Sequence, residues 1–197
     1  MELPDVIRIS MEVARVLEDL QIPYLIGGSV VSSLYGDPRT TFDSDLVADL
    51  QPQHIQPFSA ALSRDFYVEP ERIADAIRRR ASFNIVHHRT GLKVDIFIFK
   101  NDSHSRQEMA RRQMIAPLPD MGEVPMATAE DIILQKLRWY ELGNHVSDRQ
   151  WNDVLGVLKV QRKRLDFEYL KEWAAHLEVE DLLQKAYEDA GLDPALA

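Results

Sequence analysis

The chain has no cysteine among its 197 residues. Disulfides and thiolate zinc sites are therefore excluded, and any metal must be held by oxygen or imidazole. Also missing is any uninterrupted apolar run close to the ~20 residues that span a bilayer. The opening MELPDVIRIS carries no basic stretch leading into an apolar one, so no leader is expected and the protein reads as cytoplasmic, with no membrane segment. Repeats and low-complexity stretches are absent too. Basic residues are outnumbered, 23 against 32, for a formal net charge of −9, a balance that usually disfavours a polyanionic partner.

That charge is unevenly placed. Residues 165–197 hold nine acidic and two basic residues, a net of −7, which leaves −2 for the first 164. The acidity belongs to the tail, and a basic stretch at Arg78, Arg79, Arg80, Arg89 and Lys93 keeps an anionic substrate open. Hydrophobic residues make up 45%, enough for a real core in one domain with a helical appendage.

The periodicities alternate between helix and strand. Val6, Ile9, Val13, Val16, Leu17 and Leu20 follow the helical period up to Pro23. YLIGG then reads as a buried strand entering a glycine turn, and Ser29 to Tyr35 as a short helix. In FDSDLVADL a period of 2 puts Asp43 and Asp45 on one strand face. Residues 54–63 read as a helix, FYV as a short strand, and EPERIADAIRRR as a helix with Pro70 near its start. SFNIVHHRTGLKVDIFIF reads as a hairpin turning at Thr90-Gly91. Residues 101–125, with three prolines and Gly122, are expected to be a loop or short strands. From Thr128 onward the pattern is helical, with capping residues at Thr128 and Ser147. The order is that of an α+β fold with a mixed sheet, divided into a core over residues 1–125 and a C-terminal helical region over 126–197.

Two aspartates on one strand face make a negative field that is costly unless a cation neutralises it, and a hard divalent ion with oxygen ligands suits it. Fifteen residues before Asp43 comes Gly28, within Gly27-Gly28-Ser29. This strand-to-helix turn offers backbone N–H groups, a positive helix end and a hydroxyl to a phosphate. Asp95 sits in the apolar run KVDIFIF, where it needs a salt bridge or a metal. Each feature alone is commonplace: D-x-D occurs in surface loops, and G-G-S in ordinary tight turns. The combination is far more specific. His87 and His88 are adjacent on a strand, point to opposite faces and do not chelate one ion together.

The set G27-G-S-V, D43-S-D-L and K93-V-D-I-F resembles the nucleotidyltransferase superfamily of DNA polymerase β. The lead-in R39-T-T-F-D resembles the R-x-T-x-D of many stand-alone bacterial members, including those of toxin–antitoxin and abortive-infection systems. The likeness covers approximately residues 20–160. It implies a polymerase-β-type core and a Mg²⁺-dependent (or Mn²⁺-dependent) nucleotidyltransferase. Such an enzyme moves a nucleoside monophosphate from an NTP such as ATP to a hydroxyl on RNA, protein or a small molecule, with release of pyrophosphate. By the same resemblance Asp43, Asp45 and Asp95 are the catalytic and metal-holding carboxylates. Nucleotide-binding roles fall to Gly27, Gly28, Ser29, Arg39, Thr40, Lys136 and Asp153. Lys136 falls amid the apolar face of Ile132, Ile133, Leu137, Trp139 and Tyr140, where it must snorkel, pair or reach an anion. The alternative is a weakly active or inactive module that keeps the fold and acts through a protein partner on the acidic tail, as in a toxin–antitoxin pair. Apolar faces on the tail helices also suit a homodimer.

Overall fold

A computed structural model describes residues 3–119 and 121–192; the last five residues of the expected helical region fall outside that range. The chain divides into two compact units, one of residues 1–30 and 40–126 and the other of residues 31–39 and 127–197.

The first unit is built on a seven-stranded mixed sheet. Its strands are β1 (Tyr24–Gly27), β2 (Asp43–Ala48), β3 (Phe66–Tyr67), β4 (Ser82–His87), β5 (Lys93–Ile98), β6 (Gln113–Ile115) and β7 (Val124–Met126), in the spatial order β3-β4-β5-β2-β1-β7-β6. β2 runs parallel to β5 and antiparallel to β1, and β7 runs parallel to β1. Alternation in β2, β4 and β5 sends Leu46, Ala48, Phe83, Ile85, Val94, Ile96 and Ile98 to one buried face. Helix α1 (Leu3–Asp19) packs on β1 and β2, and Val13, Ala14 and Leu17 are fully buried along its inner stripe. Helix α3 (Ile55–Leu62) continues that layer, with its Phe58 edge-on to Phe83 of β4, and helix α4 (Pro70–Arg79) packs on α3 and β4. Pro70 opens α4, and Arg80 closes it in the left-handed conformation (φ 51°).

The region expected to be a loop or short strands also contains a helix, α5 (Ser103–Arg111), capped by Asp102, whose carboxylate accepts from the Ser105 N–H at 2.8 Å. Its buried side is His104, Glu108 and Met109.

The second unit contains most of α2 (Gly28–Tyr35) and the tail helices α6 (Ala129–Leu142), α7 (Asp148–Gln161), α8 (Phe167–His176) and α9 (Glu180–Ala190). Residues 31–39 group with the tail because they lie on α7. A Cβ on Gly36 would stand 2.7 Å from the Val157 nitrogen, and the Gln161 amide donates to the Tyr35 carbonyl at 2.6 Å. Thr128 and Ser147 cap α6 and α7 as their sequence pattern predicts. Asp131, fully buried at the start of α6, accepts from the Thr128 hydroxyl at 2.8 Å and from the Tyr169 hydroxyl at 2.5 Å. Trp139 departs from the expected buried stripe and is 47% exposed.

Candidate active site

The sheet face opposite the α1 layer carries the charged residues. Asp45 is in register with Asp95 across the parallel β2–β5 pair, and Asp43 with Lys93. Register continues from Asp95 to Asn84 on β4 and from Asp45 to Gly27 on β1. One transverse row therefore reads Asn84, Asp95, Asp45, Gly27, with neighbours about 4.8 Å apart in backbone spacing. Asp43 lies one pleat period along β2 on the same face. All three aspartates are half-buried.

The glycine turn is shaped around Asp45. Gly28 begins α2 with φ +60°, and a Cβ there would lie 1.7 Å from the Asp45 Oδ2 and 2.7 Å from its Cβ. Only glycine fits on both counts. The positive end of α2 is thereby brought against a carboxylate, with Ser29, 9% exposed, in its first turn. Asp43 is fixed by the threonine of R-x-T-x-D, to which the sequence reading gave no role of its own: the hydroxyl of buried Thr41 donates to Asp43 Oδ1 at 2.9 Å. Thr40, the neighbour expected from the sequence to bind nucleotide, is exposed.

Lys93 is the second such residue. Its ammonium pairs with Asp95 Oδ2 at 2.8 Å. The hydrogen bond to Asp95 raises the lysine pKa against the opposing effect of burial, and the charges of Asp95, Asp43 and Asp45 add to the rise. All three aspartates thus act on the lysine ammonium that pairs with Asp95. Among the described residues no three acidic or imidazole side chains already converge on an ion-sized point. The donor set nonetheless fits a hard divalent ion, because it consists of oxygen alone and its field draws positive charge.

His87 and His88 take no part. His87 points to the face opposite Asn84 and Asp95, is 2% exposed, and its Nδ1 lies 2.8 Å from the Thr90 hydroxyl, while His88 is exposed beyond the strand.

The remaining candidates come together in the second unit. Arg39 makes two hydrogen bonds to Asp153, Nε to Oδ1 at 2.6 Å and an NH₂ group to Oδ2 at 2.7 Å. Lys136 pairs with Asp153 Oδ2 at 2.6 Å and donates to the Gln150 side-chain oxygen at 3.0 Å. Lys136 is 3% exposed and Asp153 8%, so the lysine on the apolar face of α6 pairs inside the fold. Burial works to raise the Asp153 pKa, but Arg39 and Lys136 outweigh it and hold the carboxyl below its ordinary value.

No family model matches the chain. No curated protein matches it in sequence. Solved structures do match. An antigenic nucleotidyltransferase-like protein from Paracoccidioides brasiliensis superposes with a TM-score of 0.61 at 17% identity, covering 94% of this chain and 92% of its own. The antibiotic-resistance factor ANT(2'')-Ia in solution gives 0.57 at 13% identity over 96% and 99%. The crystal structure of ANT(2'')-Ia in complex with adenylyl-2''-tobramycin gives 0.55 at 12% identity over 87% and 95%. At such identities the likeness is one of fold, and the chain has the α+β fold of these nucleotidyltransferase-like proteins, a mixed sheet flanked by helices.

Proposed function

We infer that the chain is a metal-dependent nucleotidyltransferase that moves a nucleoside monophosphate from an NTP to a hydroxyl acceptor. The observation that carries this reading is the transverse row: Asp45 and Asp95 in register on parallel strands, Asp43 on the same face, and a Gly28 turn that admits no side chain beside Asp45. A bound Mg²⁺ or Mn²⁺ would supply charge stabilisation for the transferring phosphoryl group. Asp43, Asp45 and Asp95 would hold it, with Thr41 fixing the first of them. Gly27, Gly28 and Ser29 bind the terminal phosphates through backbone N–H groups and a hydroxyl. The acceptor oxygen bonds to the α-phosphorus, its proton passes to Asp95, and the bond to the bridging oxygen breaks. Pyrophosphate leaves with that electron pair. The resemblance also gives Arg39 and Lys136 nucleotide-binding roles, and within the second unit Asp153 holds both side chains. The R39-T-T-F-D lead-in and the Lys136–Asp153 pair support a place among small bacterial members, the toxin–antitoxin and abortive-infection types included.

The test is calorimetric titration of each of the four NTPs with Mg²⁺ into the wild type and into the Asp43→Asn, Asp45→Asn double variant. Metal-dependent binding in the wild type and its loss in the variant are expected. Equal binding in both would remove the carboxylates from the site.

One observation favours a second reading, a partner-binding module: Trp139, Leu142 and Val146 expose 47%, 65% and 79% of their surface at the end of α6 and the turn after it. Co-purification of a stoichiometric partner, with no nucleotide incorporated into any acceptor, would favour that reading.

A further inference from the structure

A cavity of about 500 Å³ in the first unit opens beside the third carboxylate. α4 contributes Glu71, Arg72, Asp75 and Arg79 to its wall, and the strands contribute Ser82, Asn84 and Asp95. Its position in the transverse row is informative. The Gly28 turn lies beyond Asp45 at one end, while Asn84 stands beyond Asp95 at the other. In phosphoryl-type transfer the attacking and leaving oxygens lie roughly in line across the phosphorus. If the glycine turn holds the leaving pyrophosphate, the attacking hydroxyl must come from the Asp95 and Asn84 end, where the cavity is.

The wall also narrows the chemistry of what enters. Three carboxylates, Glu71, Asp75 and Asp95, face two guanidinia. Both guanidinia are already engaged, Arg72 with Glu69 at 3.3 Å and Arg79 with Asp75 at 3.1 Å. Glu71 has no ion pair among the described residues. A polyanion finds no open basic groove here. Nor is there a platform for a stacked base. Among the described residues lining the cavity the one aromatic is Phe83, which is 7% exposed and turned to the opposite face against Phe58. The volume lies within the range of small-molecule sites, and Ser82 and Asn84 bring hydroxyl and amide groups suited to hydrogen-bonding a hydroxylated compound.

We propose that the cavity between α4 and β4 is the acceptor site, that it takes a small, polyhydroxylated, neutral or cationic molecule, and that Asn84 positions the attacking hydroxyl beside Asp95. The assignment rests on nucleotidyl transfer at the carboxylates, and the test separates the two. Wild-type protein with Mg²⁺ and α-labelled ATP is offered glucosamine, inositol, glucose 6-phosphate, bulk tRNA and casein, and ATP affinity is measured alongside. Because the chain has no cysteine, Ser82→Cys introduces a single thiol into the cavity wall that a bulky maleimide can cap, and Ser63→Cys, at the exposed end of α3, serves as the capped control.

The expected result is label on glucosamine and inositol, with at least tenfold less on glucose 6-phosphate and none on tRNA or casein. Capping Ser82→Cys should stop the transfer while ATP binding persists, and capping Ser63→Cys should leave the transfer unchanged. Asn84→Ala should raise the acceptor KM about tenfold, the worth of one hydrogen bond, with the ATP KM unmoved. The acceptor assignment is overturned by label on tRNA or casein, by preference for the anionic sugar, by capping without effect, or by no labelled probe at all while ATP binds. Absence of metal-dependent ATP binding in the wild type overturns the nucleotidyl-transfer reading itself.

Discussion

Replacing Gly28 by alanine tests the link between the glycine turn and the carboxylates. Two costs are superimposed at this position. A left-handed backbone, φ +60° here, costs a residue with a Cβ about 1–2 kcal/mol. The added methyl would also stand 1.7 Å from Asp45 Oδ2, 2.5 Å from Cγ and 2.7 Å from Cβ. Rotating the Asp45 side chain relieves the first two contacts but leaves the third, because Cβ does not move with χ1. β1 and β2 must then shift at the register pair Gly27–Asp45, and overpacking of this kind adds about 1–3 kcal/mol. Gly91→Ala supplies the control. Its φ is +70°, with nothing within 4 Å of the added Cβ, so it carries the backbone cost alone. Urea denaturation should therefore show Gly91→Ala destabilised by about 1–2 kcal/mol and Gly28→Ala by about 2–5 kcal/mol. In calorimetry only Gly28→Ala should lose metal-dependent NTP binding. Equal destabilisation of the two variants, or full NTP binding by Gly28→Ala, would refute the view that the turn is fitted around Asp45.

Two further perturbations probe the charges. Asp153→Ala leaves buried Lys136 and half-buried Arg39 without the carboxylate they share and should cost about 3–5 kcal/mol at neutral pH in urea denaturation. Because the Asp153 pKa is lowered in the fold, its stabilising contribution is complete above the ordinary carboxyl value of 3.8 and is lost as pH falls through the folded value, so the acid limb of a stability–pH profile should flatten in Asp153→Asn. Lys93→Met removes the ammonium that competes for Asp95, and because the pair is partly exposed, Mn²⁺ affinity without nucleotide should rise only a few-fold; a drop in affinity would mean that the lysine contributes to the site in another way.

The parts of the molecule legible in the sequence are those encoded by local period. Alternation in F-D-S-D-L and K-V-D-I-F places the aspartates on one face before any strand pairing is known, and the same alternation carries Lys93 onto the face of Asp95, although by sequence it counted only as part of a basic stretch. The cap residues Thr128 and Ser147 were readable because a hydroxyl three residues before a carboxylate or amide is a local signal. α5 was missed because its buried side is His104, Glu108 and Met109, two of them polar, so no apolar stripe marks it. Its one clear signal was the Asp102 cap.

What stayed hidden is what register and long-range packing create. Asn84 gains its meaning only when β4 is known to pair with β5 so that it falls opposite Asp95, and neither strand's sequence states that offset. Arg39 and Asp153 meet across 114 residues, and the close approach of Gly36 to α7 that gathers residues 31–39 into the helical unit leaves no periodic trace. Asp95 presented a choice between a salt bridge and a metal. The structure makes the alternatives compatible, because the field that raises the Lys93 pKa has contributions from all three aspartates and would attract a divalent ion to the same face. A cation of higher charge would compete with the lysine for the same oxygens, so the Lys93–Asp95 pair and the proposed metal are alternatives at one carboxylate.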